Sequence, residues 1–213
     1  MNIQTPKELR KQYKHPQIKG LYVIPDFVST EEMDRFVTNY RENKRMKTSI
    51  TLPNTTVKYN FFSQSYTNTT LTPPFLELSD KARRICTNLQ LHRFSRVKEV
   101  PEFNHCVVNE YFSEHRKPSG EGLKYDSSLG TLKWNLCTTE IGPFIASYTF
   151  SDEPREIYFI DMQTYTIITV TLEKGSFCVL SGDARYKWHH SVETYDIDHE
   201  FTRDIRYITL KYV

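Results

Sequence analysis

The second half of the chain is dominated by segments of β-branched and aromatic residues, and this pattern limits the fold more than any other feature. Residues 164–173 contain almost no strand breaker, which is typical of a β-strand. Glu173-Lys174-Gly175 indicates a turn and residues 176–180 a second strand, so the sequence predicts a hairpin here. Similar segments predict further strands at residues 105–111, 144–150, 157–160 and 205–213.

Two helix patterns precede most of these strands. Ser29 and Glu32 have the spacing of a capping box, and apolar residues follow them at helical intervals. Pro73-Pro74 opens the second pattern, and a short strand is predicted at residues 20–24. Two early helices followed by about six strands predict a mainly β fold with flanking helices, arranged as an antiparallel sandwich or jelly roll. One face of the second helix is predicted to contain Leu78, Ala82, Ile85, Cys86 and Leu89.

The chain of 213 residues is predicted to form one domain, from residue 20 to residue 213. Residues 1–19 are expected to be a polar lead-in that is disordered in part. The long segment between Phe112 and Gly142 is typical of a functional or disordered loop. Since no secretory signal and no apolar run of membrane-spanning length is found, we expect an intracellular protein without a membrane partner.

The net charge and the cysteine content exclude few classes of function. The formal net charge of +2 permits a nucleic-acid partner without indicating one, because nucleic-acid-binding surfaces are usually more basic and clustered. The four cysteines are widely spaced and contain no CxxC pair, so the sequence supports neither a zinc knuckle nor a redox motif. We expect buried free thiols.

Trp188-His189-His190 places two imidazoles at the predicted end of a strand. Neutral imidazole is a good ligand for zinc and iron, and a strand fixes the direction of the side chain. Spacing alone, however, favours one histidine that caps the strand and one that is solvated.

Polar residues recur along the predicted strands in a fixed order. Asn109 and Tyr111 lie two apart on one strand and therefore share a face. With the later elements, this order resembles the AlkB family of Fe(II)- and 2-oxoglutarate-dependent dioxygenases, from about residue 20 to the C-terminus. The later elements are Gly182-Asp183-Ala184-Arg185, Trp188, His190, Thr209 and Lys211.

The resemblance implies a double-stranded β-helix, the jelly roll of the 2-oxoglutarate dioxygenases. Its interior would hold Fe(II) on a His-x-Asp pair and a distal histidine, which His190 matches. Asn109 and Tyr111 match residues that hydrogen-bond 2-oxoglutarate, and Thr209 and Lys211 match the co-substrate strand. Family substrates are mostly N-alkylated bases in DNA or RNA, with a few proteins.

The chain departs from the family at the His-x-Asp pair. Counting from Gly122-Leu123 puts Asp126 in the histidine position and Ser128 in the aspartate position, and we prefer this register because it keeps that anchor. The alternative register keeps Asp126 as the carboxylate and puts Lys124 in the histidine position. Neither register gives two histidines and a carboxylate. The predicted metal residues are therefore Asp126 and His190, with a third position occupied by a poor ligand or a repelling cation.

The predicted co-substrate strand departs from the family as well. The family pattern Arg-x-Ser-x-Thr-x-Arg places all named residues on one face. The corresponding face here contains Ile205, Tyr207, Thr209 and Lys211, while Arg206 lies on the opposite face unless a bulge changes the register. Lys211 offers a point charge without the fork of an arginine.

These departures predict a degenerate iron site in a protein that acts by binding nucleic acid (DNA or RNA) or a protein partner. An active demethylase of alkylated bases, using Fe(II) and 2-oxoglutarate, and a cupin-type jelly roll without a nucleotide link remain the alternatives. Arg185 is a candidate catalytic residue that orients the strand end or reaches substrate. A lid that stacks on a base is predicted at Lys58, Tyr59, Phe61 and Phe62, although the residue types of Phe61 and Phe62 favour an edge strand of the core.

Overall fold

The computed structural model describes residues 4–42, 49–51, 69–70, 73–111, 142–150, 154–192 and 204–211. Its helices are α1 (Pro6–Tyr13), α2 (Thr30–Glu42), α3 (Pro73–Asn88) and α4 (Gly182–Tyr186), with a 3-10 helix at Leu91–Phe94. Its strands are β1 (Leu21–Ile24), β2 (Ser49–Thr51), β3 (Thr69–Thr70), β4 (His105–Tyr111), β5 (Ile145–Tyr148), β6 (Arg155–Asp161), β7 (Thr166–Leu172), β8 (Phe177–Leu180), β9 (Trp188–Val192) and β10 (Asp204–Lys211). Among these residues, no helix is long and apolar enough to cross a bilayer.

The strands form two sheets. The large sheet has the order β1-β8-β5-β10-β4-β2-β3, and the small sheet has the order β7-β6-β9. From β5 onward the chain passes from the large sheet to the small one and back, so strands distant in sequence become neighbours. This mainly β architecture of antiparallel sheets with flanking helices is a jelly roll, as the sequence predicts.

Apolar side chains form two cores, one on each side of the large sheet. The helix-side core lies between the large sheet and the helices, and it includes Phe36, Phe75 and Tyr148. The barrel core lies between the two sheets and includes Ile145 and Phe159. Alternation along β5 explains the division, because adjacent strand residues lie on opposite faces.

The predicted hairpin between residues 164–173 and 176–180 is wrong. β7 pairs with β6, whereas β8 pairs with β1 and β5 in the other sheet. The Glu173-Lys174-Gly175 turn therefore carries the chain between sheets. The physical reason is burial: all four residues of β8 are buried, as expected of a strand with a partner on each side.

The two predicted helices are present and packed on the helix-side core. The Ser29 N–H donates to Glu32 Oε2 at 2.8 Å, and the Glu32 N–H donates to Ser29 Oγ at 3.2 Å, which is the predicted capping box. α3 begins at Pro73 and buries Leu78, Ala82 and Cys86 on one face. These helices on the barrel remove the main structural argument for the cupin-type alternative.

A third helix, α1, lies within the predicted lead-in. Thr5 and Glu8 form its capping box, and Leu9 and Tyr13 pack against the helix-side core. Ile18 is fully buried in the barrel core. Residues 6–18 are thus an ordered part of the structure, and the expectation of partial disorder is wrong for them. Sequence periodicity missed α1 because a helix of eight residues with two apolar contacts gives a weak pattern.

Candidate functional site

His190 lies on the barrel side of the small sheet. Phe159, directly opposite in β6, belongs to the barrel core, and residues paired across antiparallel strands share a face. The two ring centroids are 6.0 Å apart. The geometry therefore places the predicted metal ligand at the interior of the jelly roll.

His189 lies on the other face of the same sheet, where it pairs with Ile160. Adjacent strand residues alternate between faces, so His189 and His190 cannot both reach the barrel interior from β9. Both side chains are partly buried and both lie within β9. The expectation of one strand-capping and one solvated histidine at a strand end is therefore wrong, because α4 separates β8 from a new strand that contains the pair.

Four predicted co-substrate residues fall on two neighbouring strands of the large sheet. Thr209 pairs with Val107 and Lys211 with His105, while Asn109 pairs with Tyr207. Lys211 also pairs with Ile145 of the barrel core. Asn109, Thr209 and Lys211 thus occupy the barrel face of the large sheet, and Tyr111, two residues beyond Asn109, shares it. Their roles in binding stay predictions.

The register of β10 changes near its start. Ile205 pairs with Glu110 and Tyr207 pairs with Asn109, so Arg206 is an extra residue in an irregularity of the ladder. Beyond it Asp204 pairs with Tyr111, and Ile205 shares the face of Glu110 instead. The expectation that Ile205 lies with Tyr207, Thr209 and Lys211 is therefore wrong. The bulge condition that the sequence analysis attached to Arg206 is met.

Arg185 is a buried arginine, with 1% of its surface exposed. Its Nε donates a 3.1 Å hydrogen bond to the carbonyl of Gly142, and its guanidinium carbon lies 4.8 Å from the centroid of the Tyr186 ring. These contacts join α4 to the segment that leads into β5. Of the two roles predicted for Arg185, the geometry favours orienting the strand end.

Arg155 is a cation that the sequence analysis missed. Arg155 begins β6 and is 6% exposed. It shares a strand face with Ile157 and Phe159 of the barrel core, so it lies on the barrel side of the small sheet. The signal was present in the sequence, since Arg155, Ile157 and Phe159 follow one another at the two-residue spacing of a strand. The predicted strand began two residues too late to include it.

Two further potential ligands in the two sheets, Asp161 and Cys178, are hydrogen-bonded or neutral. Asp161 Oδ1 accepts the Gln163 N–H at 2.8 Å, so this carboxylate stabilises the β6–β7 turn. Cys178 lies in the barrel core, where burial raises the pKa of its thiol to about 12 and keeps it protonated. Within the ranges given above, no group of three His, Cys, Asp or Glu side chains is arranged to hold a metal ion.

Several predicted residues lie outside the described part of the chain. These are the metal candidate Asp126 with Lys124 and Ser128, and the lid residues Lys58, Tyr59, Phe61 and Phe62. Their assignments stay predictions. Cys86, Cys106 and Cys178 are buried free thiols as expected, and Cys137 falls outside the same ranges.

The family-implied Fe(II) site can be tested against the donors that are present. His190 offers Fe(II) an imidazole from the barrel side of the small sheet, and Asp126 would add a carboxylate. A third protein donor is missing from both registers of residues 124–128, and β9 supplies only one imidazole to the interior. The positions that match the family's ligands therefore do not supply two histidines and one carboxylate.

Comparison with known proteins supports the fold. No family model and no curated protein sequence matches the chain. Among solved structures, OsALKBH1 is similar over 94% of this chain and 99% of its own, with a TM-score of 0.53 and 15% identity. A proposed oxygenase from Shewanella oneidensis is similar over 97% and 86%, with a TM-score of 0.51 and 12% identity. The fold is thus an AlkB-like, oxygenase-type jelly roll.

Proposed function

We propose that this protein is an AlkB-like binding protein with a degenerate iron site, which engages nucleic acid or a protein partner without oxidising it. The observation that carries the proposal is the alternation in β9. Because His189 and His190 lie on opposite faces, this strand offers the interior one imidazole. The sequence offers no second imidazole at residues 124–128.

The chemistry of the donors explains why iron would bind weakly. Neutral serine is a poor ligand for Fe(II), and a protonated lysine repels the ion. Two protein ligands leave the ion to solvent at most of its positions, so release becomes easy. The barrel fold itself does not depend on the ion, because apolar side chains such as Phe159 and Ile157 form a buried core between the sheets.

The proposal is tested by turnover. Purified protein is incubated with Fe(II), ascorbate, oxygen and 2-oxoglutarate, and succinate is measured with and without single-stranded methylated oligonucleotides. We expect no succinate above the level of a matched His190→Ala variant. Succinate release that disappears in His190→Ala and in Asp126→Ala would contradict the proposal.

A second candidate function, an active 2-oxoglutarate-dependent demethylase, is favoured by one observation. The irregularity of β10 at Arg206 meets the condition under which this residue could replace the family's first co-substrate arginine. A guanidinium pairs with a carboxylate through two hydrogen bonds, so it would bind the distal carboxylate of 2-oxoglutarate well. If this candidate is correct, Arg206→Ala abolishes 2-oxoglutarate binding, whereas Arg203→Ala, three residues away, leaves it unchanged.

A further inference from the structure

The helical side of the protein carries a concentration of positive charge that the overall composition hides. Residues 6–19 and 89–98 together contain eight Lys and Arg residues and one acidic residue. The whole chain is nearly balanced, with 28 Lys and Arg residues and 26 Asp and Glu residues. The fold joins these segments, because Arg10 Nη1 donates a 2.8 Å hydrogen bond to the carbonyl of Leu89. We call the surface they form the basic face. Its members are Lys7, Arg10, Lys11, Lys14, Arg93, Phe94, Arg96 and Lys98.

The cations of the basic face are not engaged in ion pairs within the described residues. Lys7, Lys11 and Lys14 are exposed at the spacing of one helical face, adjacent to Arg10. Within the residues that the structure covers, none of the basic-face cations forms an ion pair with a carboxylate. The one acidic residue of the two segments, Glu8, accepts hydrogen bonds from the N–H and hydroxyl of Thr5 in the capping box of α1.

Phe94 places an exposed aromatic ring among these cations. Its surface is 54% exposed, and the Arg10 guanidinium carbon lies 5.3 Å from the ring centroid. The turn that holds it is bracketed by Gln90 and Arg96, two non-glycine residues with left-handed backbones at φ 52° and 56°. The ring is therefore held by a cation on one side and by a constrained backbone, and the rest of it is open to solvent.

We propose that the basic face binds single-stranded nucleic acid. Uncompensated lysines and arginines suit a phosphate backbone, and an exposed ring next to them suits stacking on an unpaired base. An anionic membrane would require a broader apolar surface, whereas Phe94 is the one large apolar side chain exposed on the basic face. In a duplex the bases are already stacked on one another, so Phe94 would contribute little.

This proposal rests on the proposed function, in which the protein acts by binding a partner. Of the two partner classes named there, nucleic acid and protein, it selects nucleic acid. It uses none of the barrel residues. The basic face belongs to the helix-side layer, where Leu9 and Tyr13 pack on the core across the large sheet from His190. Binding at this face and chemistry in the barrel can therefore succeed or fail separately.

The experiment measures the affinity of the full chain for a fluorescein-labelled 20-nucleotide single strand, in DNA and RNA form, by fluorescence anisotropy from 50 to 300 mM salt. The variants are Phe94→Ala and the charge reversal Lys11→Glu/Lys14→Glu. The matched controls are Tyr165→Ala, a residue that is 70% exposed in the β6–β7 turn, and Arg35→Glu on α2, whose guanidinium pairs with Glu77 of α3. All substituted residues are exposed, and circular dichroism confirms folding.

We expect affinity to fall about tenfold in Phe94→Ala at every salt concentration. In the charge reversal we expect a larger loss and a smaller dependence on salt, since fewer counterions are released. The two controls should stay within about twofold of the unmodified protein. The inference is overturned if no oligonucleotide binds at 50 mM salt, if the controls lose as much affinity as the variants, or if phosphatidylserine vesicles bind through the same residues and the oligonucleotide does not. Oligonucleotide binding combined with succinate release would support the basic face and contradict the proposed function.

Discussion

His190 lies directly opposite Phe159 in the small sheet, with the two ring centroids 6.0 Å apart. This pairing fixes one imidazole inside the barrel and, by alternation, places His189 outside it. The interior thus keeps the position of the family's distal iron ligand without gaining a second imidazole from the same strand. The proposed binding role rests on this geometry.

Removal of the Arg185 charge is expected to destabilise the protein. In Arg185→Met the Gly142 carbonyl loses its donor and the buried guanidinium contacts disappear, so the free energy of unfolding should fall by about 2–3 kcal/mol. Urea denaturation measures this loss. Tyr186→Leu, which removes a ring that is 46% exposed, is the control and should cost at most about 1 kcal/mol. A stable Arg185→Met variant that loses partner binding would instead assign Arg185 to the ligand.

Gly20 is expected to tolerate no side chain. Its φ is 91°, and a Cβ at this position would overlap the carbonyl oxygen of Ser181. Gly20→Ala should therefore lower the free energy of unfolding by about 3 kcal/mol or more, because backbone rather than a flexible side chain must move. Gly182→Ala is the matched control: its φ is 48°, and its Cβ would lie 3.9 Å from the Phe94 carbonyl oxygen, which is an ordinary van der Waals contact. There only backbone strain of about 1 kcal/mol is expected. Equal losses in thermal or urea unfolding would contradict this account.

The sequence predicted those parts of the fold whose causes are local. The Ser29–Glu32 capping box and the proline pair at Pro73 depend on neighbouring residues, and both helices begin where expected. β4 has the predicted bounds, His105–Tyr111. The jelly-roll class followed from the order of the elements.

Partners across the sheets were harder to predict. Nothing local distinguishes the Glu173-Lys174-Gly175 turn from a hairpin turn, because the difference lies in whether β8 pairs with β7 or with β1 and β5. The register change at Arg206 likewise arises from pairing between β10 and β4. For the same reason the basic face was not predicted: the contact between Arg10 and Leu89 joins residues far apart in sequence.

Tyr148 ties the large sheet to α3 through a buried hydroxyl. Its Oη donates a 2.6 Å hydrogen bond to the carbonyl of Leu78, and burial raises the pKa of the phenol well above its usual range, so it stays a donor. Tyr148→Phe should lower the free energy of unfolding by about 1–2 kcal/mol, since the buried carbonyl loses its partner. Tyr158→Phe removes a surface hydroxyl that donates to Glu156 and serves as the control, with an expected loss below about 0.5 kcal/mol. Chemical denaturation of both variants measures these losses. A loss in Tyr158→Phe as large as that in Tyr148→Phe would contradict a stabilising role for the buried Tyr148 hydroxyl.

The α2 capping box should make stability depend on pH. The backbone hydrogen bond from Ser29, with a smaller contribution from Lys81, lowers the pKa of Glu32 in the folded state. Because the pKa of Glu32 is lower in the folded state, its carboxylate stabilises the fold at pH values above the unfolded-state pKa of glutamate. This stabilisation is lost as the pH falls through the folded-state pKa. Glu32→Gln, which removes the carboxylate charge at the start of α2, should cost about 0.5–1 kcal/mol at pH 7.

Urea denaturation at pH 7 and at pH 3 checks this dependence. The difference between the unmodified protein and Glu32→Gln should shrink at the lower pH, where the Glu32 carboxylate is protonated. A difference that grows as pH falls would have the wrong sign for this capping box.

The proposed function requires that the barrel does not hold iron as an AlkB-type oxygenase does. Anaerobic calorimetric titration with Fe(II), in the presence of saturating 2-oxoglutarate, tests it most directly, with His190→Ala titrated in parallel. The account predicts binding well below one equivalent and titrations of the two proteins that do not differ. One tightly bound equivalent of Fe(II) that disappears in His190→Ala would contradict it.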